Sequence, residues 1–230
     1  MNVVDEMKNP RIRLIRHEQN RGGGAARNTG VRASMNEWIF NLDADNVIHG
    51  DLIHRLLDFA VTNNIDVACP STIHYFNRDI SEISHDWTFE GRDITFLDHL
   101  SSPYVPSASG NYLFSRAAFE KAGGFPEFAG GLDTWGFGLR VVATGSRMRI
   151  CPSTSYFHRF GHESYYVRES RRVAHQSLIA TSLVLEFPDL SSPRIIRKLL
   201  SRQHRFSWFS KIQKNPFKIR NQASGRVISY

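Results

Sequence analysis

The chain has 230 residues, of which 41% are hydrophobic and 12% aromatic, a globular composition that is large enough for one sizeable core. No apolar run approaches the roughly 18–20 residues that cross a bilayer, and the first residues lack the charged start and apolar centre of a secretion signal. Cys69 and Cys151 are far apart without metal-ligand spacing, so we interpret both as buried thiols of a reducing compartment. The composition predicts a soluble, cytoplasmic protein.

The net charge of +7 is unevenly distributed along the chain. Residues 191–230 contain ten lysines and arginines and no aspartate or glutamate, which leaves residues 1–190 with a net charge of −3. Aromatic residues are interleaved with these cations, a pattern typical of a segment at the surface of an anionic membrane. Nucleic acid would use the same charges, but no recognised nucleic-acid-binding module accompanies them, and a solvated disordered tail is the other alternative.

The first half of the chain alternates predicted strands and helices. Apolar and polar residues alternate as in a half-exposed strand, small residues then favour a helix, and two apolar runs flank a segment with helical spacing. This order indicates strands that run parallel, joined by right-handed crossovers. The predicted elements are a strand at 11–16, a helix at 25–33, a strand at 38–42, a helix at 52–60 and a strand at 65–69.

The second half is less regular. Residues 71–106 combine aromatic residues with scattered charges and are predicted to form an irregular, mobile insertion over a site. Ser115 is placed to cap a short helix that stops at two glycines. The remaining predicted elements are a strand at 110–114, helices at 115–121 and 134–144, short strands at 148–151 and 155–157, and a long helix at 163–185.

Two aspartates, Asp43 and Asp45, follow the apolar strand that begins at Trp38. Strand alternation places residues i and i+2 on one face, so both carboxylates can point the same way. Mg²⁺ commonly uses one or two carboxylates together with substrate phosphates, and ligands of open α/β sheets bind at the carboxyl ends of strands. The alternative is a plain turn, because Asp and Asn are common turn residues.

Four separated motifs, taken together and in order, resemble the family 2 glycosyltransferases of the GT-A fold over residues 11–165. The resemblance implies an α/β architecture, with a GT-A-like (Rossmann-like), mostly parallel sheet flanked by helices at 1–165 and a helical, basic extension at 166–230. The motifs are Asn20-Arg21-Gly22-Gly23 with Ala26-Arg27-Asn28-Thr29-Gly30, then Asp43-Ala44-Asp45, then Gly123-Gly124-Phe125-Pro126 before Asp133 and Arg140, then His158.

The resemblance implies transfer of a sugar from a nucleotide-diphosphate donor to a hydroxyl acceptor, in surface polysaccharide or glycolipid synthesis. Asp43, Asp45 and His158 would hold Mg²⁺ or Mn²⁺, with Asp43 also facing the nucleotide, and His162 is the substitute for His158. The alternative for His158 is a packed or surface histidine. Such an enzyme would be cytoplasmic and could sit peripherally at the inner face of the membrane.

The donor side of the predicted site comprises Asn20, Gly22 and Arg27. Arg27 lies at the head of the first helix, where free N–H groups and a guanidinium can pair with a diphosphate. The alternative for Arg27 is an ordinary surface arginine. The glycines would let the backbone approach the donor, or they form a simple turn.

Asp133 is the candidate general base that accepts the proton of the acceptor hydroxyl. The family pattern has paired acids, the second of them six residues before the arginine, and here that position is Thr134. Either Asp133 serves after a one-residue shift in the turn, or the chemistry is altered. Trp135 could stack on the acceptor sugar, with core packing as its alternative.

The amino terminus also departs from the family pattern. Family members open with a strand, a helix and a second strand that grip the nucleotide, whereas ten residues precede Arg11 here. We expect a truncated chain, or a second chain that supplies this unit, and an open sheet edge of this kind would favour self-association. The rival hypothesis is a catalytically impaired remnant that acts as a binding or scaffold subunit.

Overall fold

The computed structural model describes residues 4, 7, 9–101, 105–161, 173–200, 218–220 and 227–228. Both cysteines are free and buried, as predicted. In these ranges, every helix is too short or too polar to cross a membrane. The fold combines one twisted sheet with helices on its faces, which confirms the α/β class.

The strands of the described residues belong to a single sheet in which β1, β6, β3 and β4 are successive neighbours and β7 pairs with β3. The shortest strands attach at its margins. The strands are β1 Trp38–Phe40, β2 Val47–Ile48, β3 Val67–Phe76, β4 Ile83–Thr88, β5 Asp93–Ile94, β6 Leu113–Ser115, β7 Met148–Arg159, β8 Lys218–Arg220 and β9 Val227–Ile228.

The centre of the sheet is the group β1, β6, β3 and β7. Because β6 is antiparallel to both β1 and β3, and β7 is parallel to β3, three of these four strands run in one direction. The predicted strands at 38–42 and 65–69 therefore have the expected common direction. They do not pair directly, because β6 is inserted between them.

Seven α-helices connect the strands of the described residues, and short 3₁₀ turns cover 106–109, 127–132 and 188–190. Ser115 accepts a hydrogen bond from the backbone N–H of Ala118 and caps its helix as predicted. The helices are α1 Gly22–Ala33, α2 Leu52–Asn63, α3 Phe96–Ser101, α4 Arg116–Lys121, α5 Asp133–Ala143, α6 Val173–Leu185 and α7 Pro193–Leu200.

The core lies between α5 and the sheet and is rich in aromatic side chains. The rings of Phe125 and Phe137 are 4.2 Å apart at their centroids, and Phe114 on β6 packs edge-on against Phe137 at 5.2 Å. Aromatic pairs at these separations add to the stabilisation from burial alone. This cluster fixes the start of α5 relative to the end of β1, where the candidate site lies.

Several local predictions are wrong. Residues 11–16 do not form the predicted strand: residue 11 lies in a turn, residues 12–16 have no regular secondary structure, and Ile12 and Leu14 are exposed. Residues 71–106 are not an irregular insertion, because β3 continues to Phe76 and returns through β4. The two short strands predicted near 148–157 are one strand, interrupted by a left-handed residue, Ser153 (φ 56°).

The predicted helix at 163–185 is described only from Val173, and His162 lies outside the described residues. Most of the basic tail is outside them too. Its described part contains α7 and the strand β8, which pairs with β4. The predicted role and the domain boundary of the tail therefore stay predictions.

Candidate active site

The loop that follows β1 is tied to the segment that leads into β6. Because the two strands are antiparallel neighbours, the end of β1 lies beside the start of β6. Asn41 donates to the carbonyl of Gly110 at 2.6 Å, and the backbone N–H of Asp43 donates to Oδ1 of Asn111 at 2.9 Å. Asn111 is fully buried, and its Nδ2 lies 3.3 Å from Oδ2 of Asp43. Asn111 therefore orients the Asp43 carboxylate.

Asn111 and Gly110 were missed by sequence reasoning. Gly110 has a φ of 86°, and a Cβ there would lie 3.0 Å from Cγ2 of Thr134 and 3.4 Å from Oδ2 of Asp43. Both the backbone conformation and the crowding therefore require glycine. The available signal was the Gly-Asn pair directly before an apolar strand, which also fits an ordinary turn.

Arg27 joins two of the predicted site residues. Its Nη2 donates to Oδ1 of Asp43 at 2.6 Å, and its Nη1 donates to Oδ2 of Asp133 at 2.5 Å. A Cβ on Gly23 would lie 2.8 Å from Nη1 of Arg27 and from Oδ2 of Asp133, so the glycine lets the start of α1 approach this pair. Burial lowers the pKa of Arg27, but the charges of Asp133 and Asp43 outweigh burial and leave it raised.

Asp133 is the first residue of α5 and faces the site. Its Oδ1 accepts a hydrogen bond from the backbone N–H of Thr134 at 2.7 Å. Burial raises the pKa of Asp133 above its ordinary value, although Arg27 and the Thr134 N–H act to lower it. Thr134 instead donates its hydroxyl to the carbonyl of Ala108 at 3.0 Å. The only acid at this turn, within the described residues, is therefore Asp133.

Asp45 is exposed at the tip of the loop, and the next residue anchors it. Asn46 accepts a hydrogen bond from the backbone N–H of Arg159 at 2.9 Å, which turns its Nδ2 toward Nδ1 of His158 at 3.2 Å. The Tyr156 hydroxyl lies 3.4 Å from the same ring nitrogen. The aspartate loop is therefore held against β7.

His158 lies near the two aspartates, and its predicted metal ligation stays a prediction. Burial lowers its pKa, while the charges of Asp43 and Asp45 raise it. Because the Arg159 N–H turns the Asn46 amide so that its N–H group faces Nδ1, the geometry favours the neutral tautomer that carries its proton on Nε2. Ligation of a cation through Nε2 would require the proton to lie on Nδ1, where the Tyr156 hydroxyl could accept it.

A cation site held by the protein alone is not preformed in the described part of the chain, where no three His, Cys, Asp or Glu side chains converge on one position. Asp43 and Asp45 are two hard carboxylates on one loop. That set fits a divalent cation whose coordination is completed by substrate phosphates and water.

Asn20 and Gly22 lie at the turn that leads into α1. Asn20 accepts a hydrogen bond from the backbone N–H of Gly22 at 2.9 Å, and Gly22 has a φ of 84°, so both form the turn into α1. They line a cleft of about 640 Å³ between residues 13–22 and one face of α1. The structure thus brings Arg27, Asp43 and Asp133 together, and it places Asn20 and Gly22 on a cleft that also includes Ala26, the residue before Arg27.

Trp135 does not bind an acceptor in this structure. Its side chain is 1% exposed and belongs to the hydrophobic core, so no ring face is available to a sugar. The predicted stacking role is therefore wrong, and the core-packing alternative holds. Arg140, which completed the motif, pairs with Glu186 at 2.7 Å and donates to the carbonyl of Gly124.

Comparison with known proteins gives these positions a family. The model of the family described as Glycosyl transferase family 2 matches residues 2–123. The succinoglycan biosynthesis protein ExoO of Rhizobium meliloti is 36% identical over 121 residues, which are 52% of this chain and 35% of ExoO. The chain spans between 35% and 40% of the length of the curated relatives it matches.

Solved structures of similar fold are GT-A glycosyltransferases. TarS 1–349 of S. aureus, in complex with UDP-GlcNAc, has a TM-score of 0.61 at 13% identity and aligns over 86% of this chain and 57% of that chain. The mannosyltransferase PcManGT of Pyrobaculum calidifontis, in complex with GDP-Man and Mn²⁺, has a TM-score of 0.51 at 18% identity, covering 82% and 50% respectively. The predicted GT-A-like fold is confirmed.

Proposed function

Because the chain belongs to glycosyl transferase family 2, we propose that it transfers a sugar from a nucleotide-diphosphate donor to a hydroxyl acceptor with the aid of a divalent cation. The observation that carries this proposal is the convergence of Asp43, Asp133 and Arg27 at the carboxyl end of β1. Two carboxylates and a guanidinium at one strand end provide the groups for a cation, a base and a phosphate contact.

The donor end of the site uses Asp43 and Asp45 to hold Mg²⁺ or Mn²⁺. When bound, the cation neutralises charge on the departing nucleotide diphosphate. Asn111 orients Asp43, and Asn46 fixes the loop that carries Asp45. His158 borders the same space and donates through Nε2, a role suited to a phosphate or sugar oxygen. The nucleotide sugars named with TarS and PcManGT support a donor of this class.

Asp133 is the proposed general base. It accepts the proton of the acceptor hydroxyl as that oxygen attacks the anomeric carbon. A carboxylate whose pKa is raised by burial is a stronger proton acceptor than an exposed one, and Asp133 has this environment. The base therefore comes from the first position of α5, and Thr134 takes no part in the proton transfer.

The acceptor is proposed to be a hydroxyl of a growing surface polysaccharide or glycolipid. The support is the similarity to ExoO, whose name places it in succinoglycan biosynthesis. An acceptor of this kind would be reached from the inner face of the membrane, and the basic segment 191–230 would hold the enzyme at that anionic surface.

The test is a titration of uridine and guanosine diphosphate with and without Mn²⁺. We expect binding that depends on Mn²⁺ in the unmodified protein, with that dependence lost in Asp45→Ala. The matched control is Asp58→Ala, because Asp58 is an exposed aspartate on α2 away from the site. Nucleotide binding that ignores Mn²⁺ in every variant would end the metal-dependent proposal.

A second candidate, a subunit that binds nucleotide without turnover, is favoured by one observation. Thr134, at the position of the second family acid, is buried and engaged with Ala108, so that position supplies no base. Mn²⁺-dependent nucleotide binding without any release of nucleotide from a donor sugar, over a panel of acceptors and in water, would favour this candidate.

A further inference from the structure

Arg27 forms ion pairs with Asp43 and Asp133, the proposed cation ligand and the proposed general base. Its two terminal nitrogens donate to Oδ1 of Asp43 at 2.6 Å and to Oδ2 of Asp133 at 2.5 Å. Charge-assisted hydrogen bonds of this length are among the strongest in proteins. The same guanidinium is the predicted diphosphate contact, so it cannot serve the phosphates and hold both acids fully at the same time.

The second oxygen of each acid is also engaged. Asn111 reaches Oδ2 of Asp43 at 3.3 Å, and the N–H of Thr134 donates to Oδ1 of Asp133 at 2.7 Å. The oxygens turned toward Arg27 carry the short, charged hydrogen bonds, whereas Oδ2 of Asp43 has the longer contact with the neutral Asn111 amide. With Arg27 in place, the guanidinium offsets part of the charge of both carboxylates, and each of their four oxygens has a hydrogen-bond donor within 3.3 Å.

We propose that Arg27 is an ionic latch. Its ion pairs with Asp43 and Asp133 keep both carboxylates engaged until a diphosphate draws the guanidinium away. The latch rests on the proposed function and adds an order to it. Once Arg27 turns to the phosphate oxygens, Asp43 becomes available to the cation and Asp133 to the acceptor hydroxyl. Binding of the donor thus precedes the activation of the base, which limits unproductive reaction.

Electrostatic repulsion couples the binding of the cation to the binding of the diphosphate. Without a diphosphate, a divalent cation at Asp43 is repelled by the adjacent guanidinium. Without a cation, a diphosphate is repelled by two carboxylates that carry more charge than Arg27 compensates. Each ligand relieves the repulsion that the other meets, so the cation and the diphosphate bind with positive coupling, typically about 5- to 150-fold.

The side chains have the exposure that such an exchange requires. Arg27 is 18% exposed and Asp43 28%, whereas Asp133 is 9% exposed. Arg27 and Asp43 can therefore be reached from solvent by phosphate and cation, while Asp133 stays covered. Glycine at position 23 removes the Cβ that would otherwise press on Nη1 of Arg27 at 2.8 Å. The guanidinium consequently has room beside the start of α1.

The experiment measures Mn²⁺ bound to the full chain, from the electron paramagnetic resonance of free Mn²⁺, with and without uridine or guanosine diphosphate. For the unmodified protein we expect weak binding of Mn²⁺ alone and at least about fivefold tighter binding with the cognate diphosphate. In Arg27→Gln, Mn²⁺ alone should bind about tenfold more tightly, and the enhancement by nucleotide should shrink.

Arg27→Lys is the second variant, because a single ammonium cannot hold both acids in the bidentate manner of a guanidinium. It should shift Mn²⁺ binding in the same direction and keeps a positive charge if the neutral variant fails to fold. Arg32→Gln is the control, since Arg32 is an exposed arginine in the last turn of the same helix. It should behave as the unmodified protein does.

The outcomes separate the latch from the function it rests on. If Mn²⁺ and nucleotide bind the unmodified protein together, but Arg27→Gln and Arg27→Lys bind Mn²⁺ alone no more tightly, the latch is overturned and the proposed function stands. If Mn²⁺ binds none of the variants, with or without nucleotide, the proposed metal site falls and the latch falls with it.

Discussion

Two neighbouring residues of α1 reach across to the same segment of the chain and make opposite kinds of contact. Arg27 binds two carboxylates through charged hydrogen bonds and keeps part of its side chain in solvent. Asn28 is 2% exposed and binds the backbone N–H of Phe125 at 2.8 Å and its carbonyl at 2.9 Å. The first contact can be exchanged for a ligand, whereas the second cannot be replaced by water without opening the core.

This difference shows which polar contacts of the molecule hold the fold and which serve the site. A buried amide that satisfies two backbone groups is shielded from water, and Asn28 also donates to Glu127 at 3.0 Å, so it fixes α1 against the segment before α5. A bridging guanidinium with solvent beside it has competitors, namely phosphate and cation.

The largest effect is expected from Asp133→Asn, which alters one of the two carboxylates that Arg27 binds. The amide keeps the shape and can still accept from the Thr134 N–H, but it cannot accept a proton at neutral pH. We expect kcat to fall about 10²- to 10⁴-fold, as for loss of a general base, while Mn²⁺-dependent nucleotide binding is retained. Full activity in this variant would remove Asp133 from the chemistry.

Asn28→Ala removes the buried amide that holds α1 against Phe125. It leaves the N–H and the carbonyl of Phe125 buried without their partner, so the free energy of unfolding should fall by about 3 kcal/mol. Urea unfolding measures the loss, with Asn36→Ala as the control at an exposed asparagine of the same region. A change below about 0.5 kcal/mol would show that Asn28 is not a structural lock.

His99, like Asn28, is a neutral, buried side chain whose hydrogen bonds hold the fold. It bonds the Ser107 hydroxyl at 2.8 Å, and burial lowers its pKa from 6.5 to about 4. A depressed pKa means that the unfolded chain binds the proton first, so stability is complete above pH 6.5 and declines as the pH falls toward 4. At pH 5 the loss from this group should be about 2 kcal/mol.

The measurement is the difference in urea stability between pH 7 and pH 5, for the unmodified protein and for His99→Gln. His85 and His158 also have lowered pKa values, so the unmodified protein will lose stability from several groups. The variant should lose about 2 kcal/mol less over the same interval. Equal losses of stability in both proteins would mean that protonation of His99 does not destabilise the fold.

The smallest effect is expected from Asn46→Ala, which tests a neutral contact that supports the exchangeable site. Asn46 joins the loop of Asp45 to Arg159 and His158 on β7. Without it, the affinity for Mn²⁺ in the presence of nucleotide should fall about tenfold, as for loss of an outer-shell partner of a metal site. An unchanged affinity would show that the loop is held by its other bonds, notably those of Asn111.

The sequence supported the family and the order of the main elements. The helix that Ser115 begins and the helix near 134–144 are found within a residue of their predicted positions, because helical spacing and caps are local signals. The GT-A-like fold is confirmed by TarS and PcManGT. Strand extent was predicted less well, since β3 and β7 are prolonged by pairing with each other over nine residue pairs.

Residue types and their spacing were enough to identify the groups available for chemistry. The aspartates at 43 and 45, the arginine at 27 and the acid at 133 are recognisable because residue type and spacing are properties of the chain alone. The same pattern could not show whether Trp135 stacks on a sugar or packs in the hydrophobic core. Burial is a property of what packs around a side chain, and that comes from distant segments.

Only the tertiary structure decided which of these groups meet. Asp43 and Asp133 are ninety residues apart in the chain, yet one guanidinium bridges them, because β6 places the end of β1 beside the start of α5. The orientation of Asn46, and with it the favoured tautomer of His158, was set in the same way by a backbone N–H of β7. Distances across the fold, and the hydrogen bonds they permit, depend on packing that no local pattern encodes.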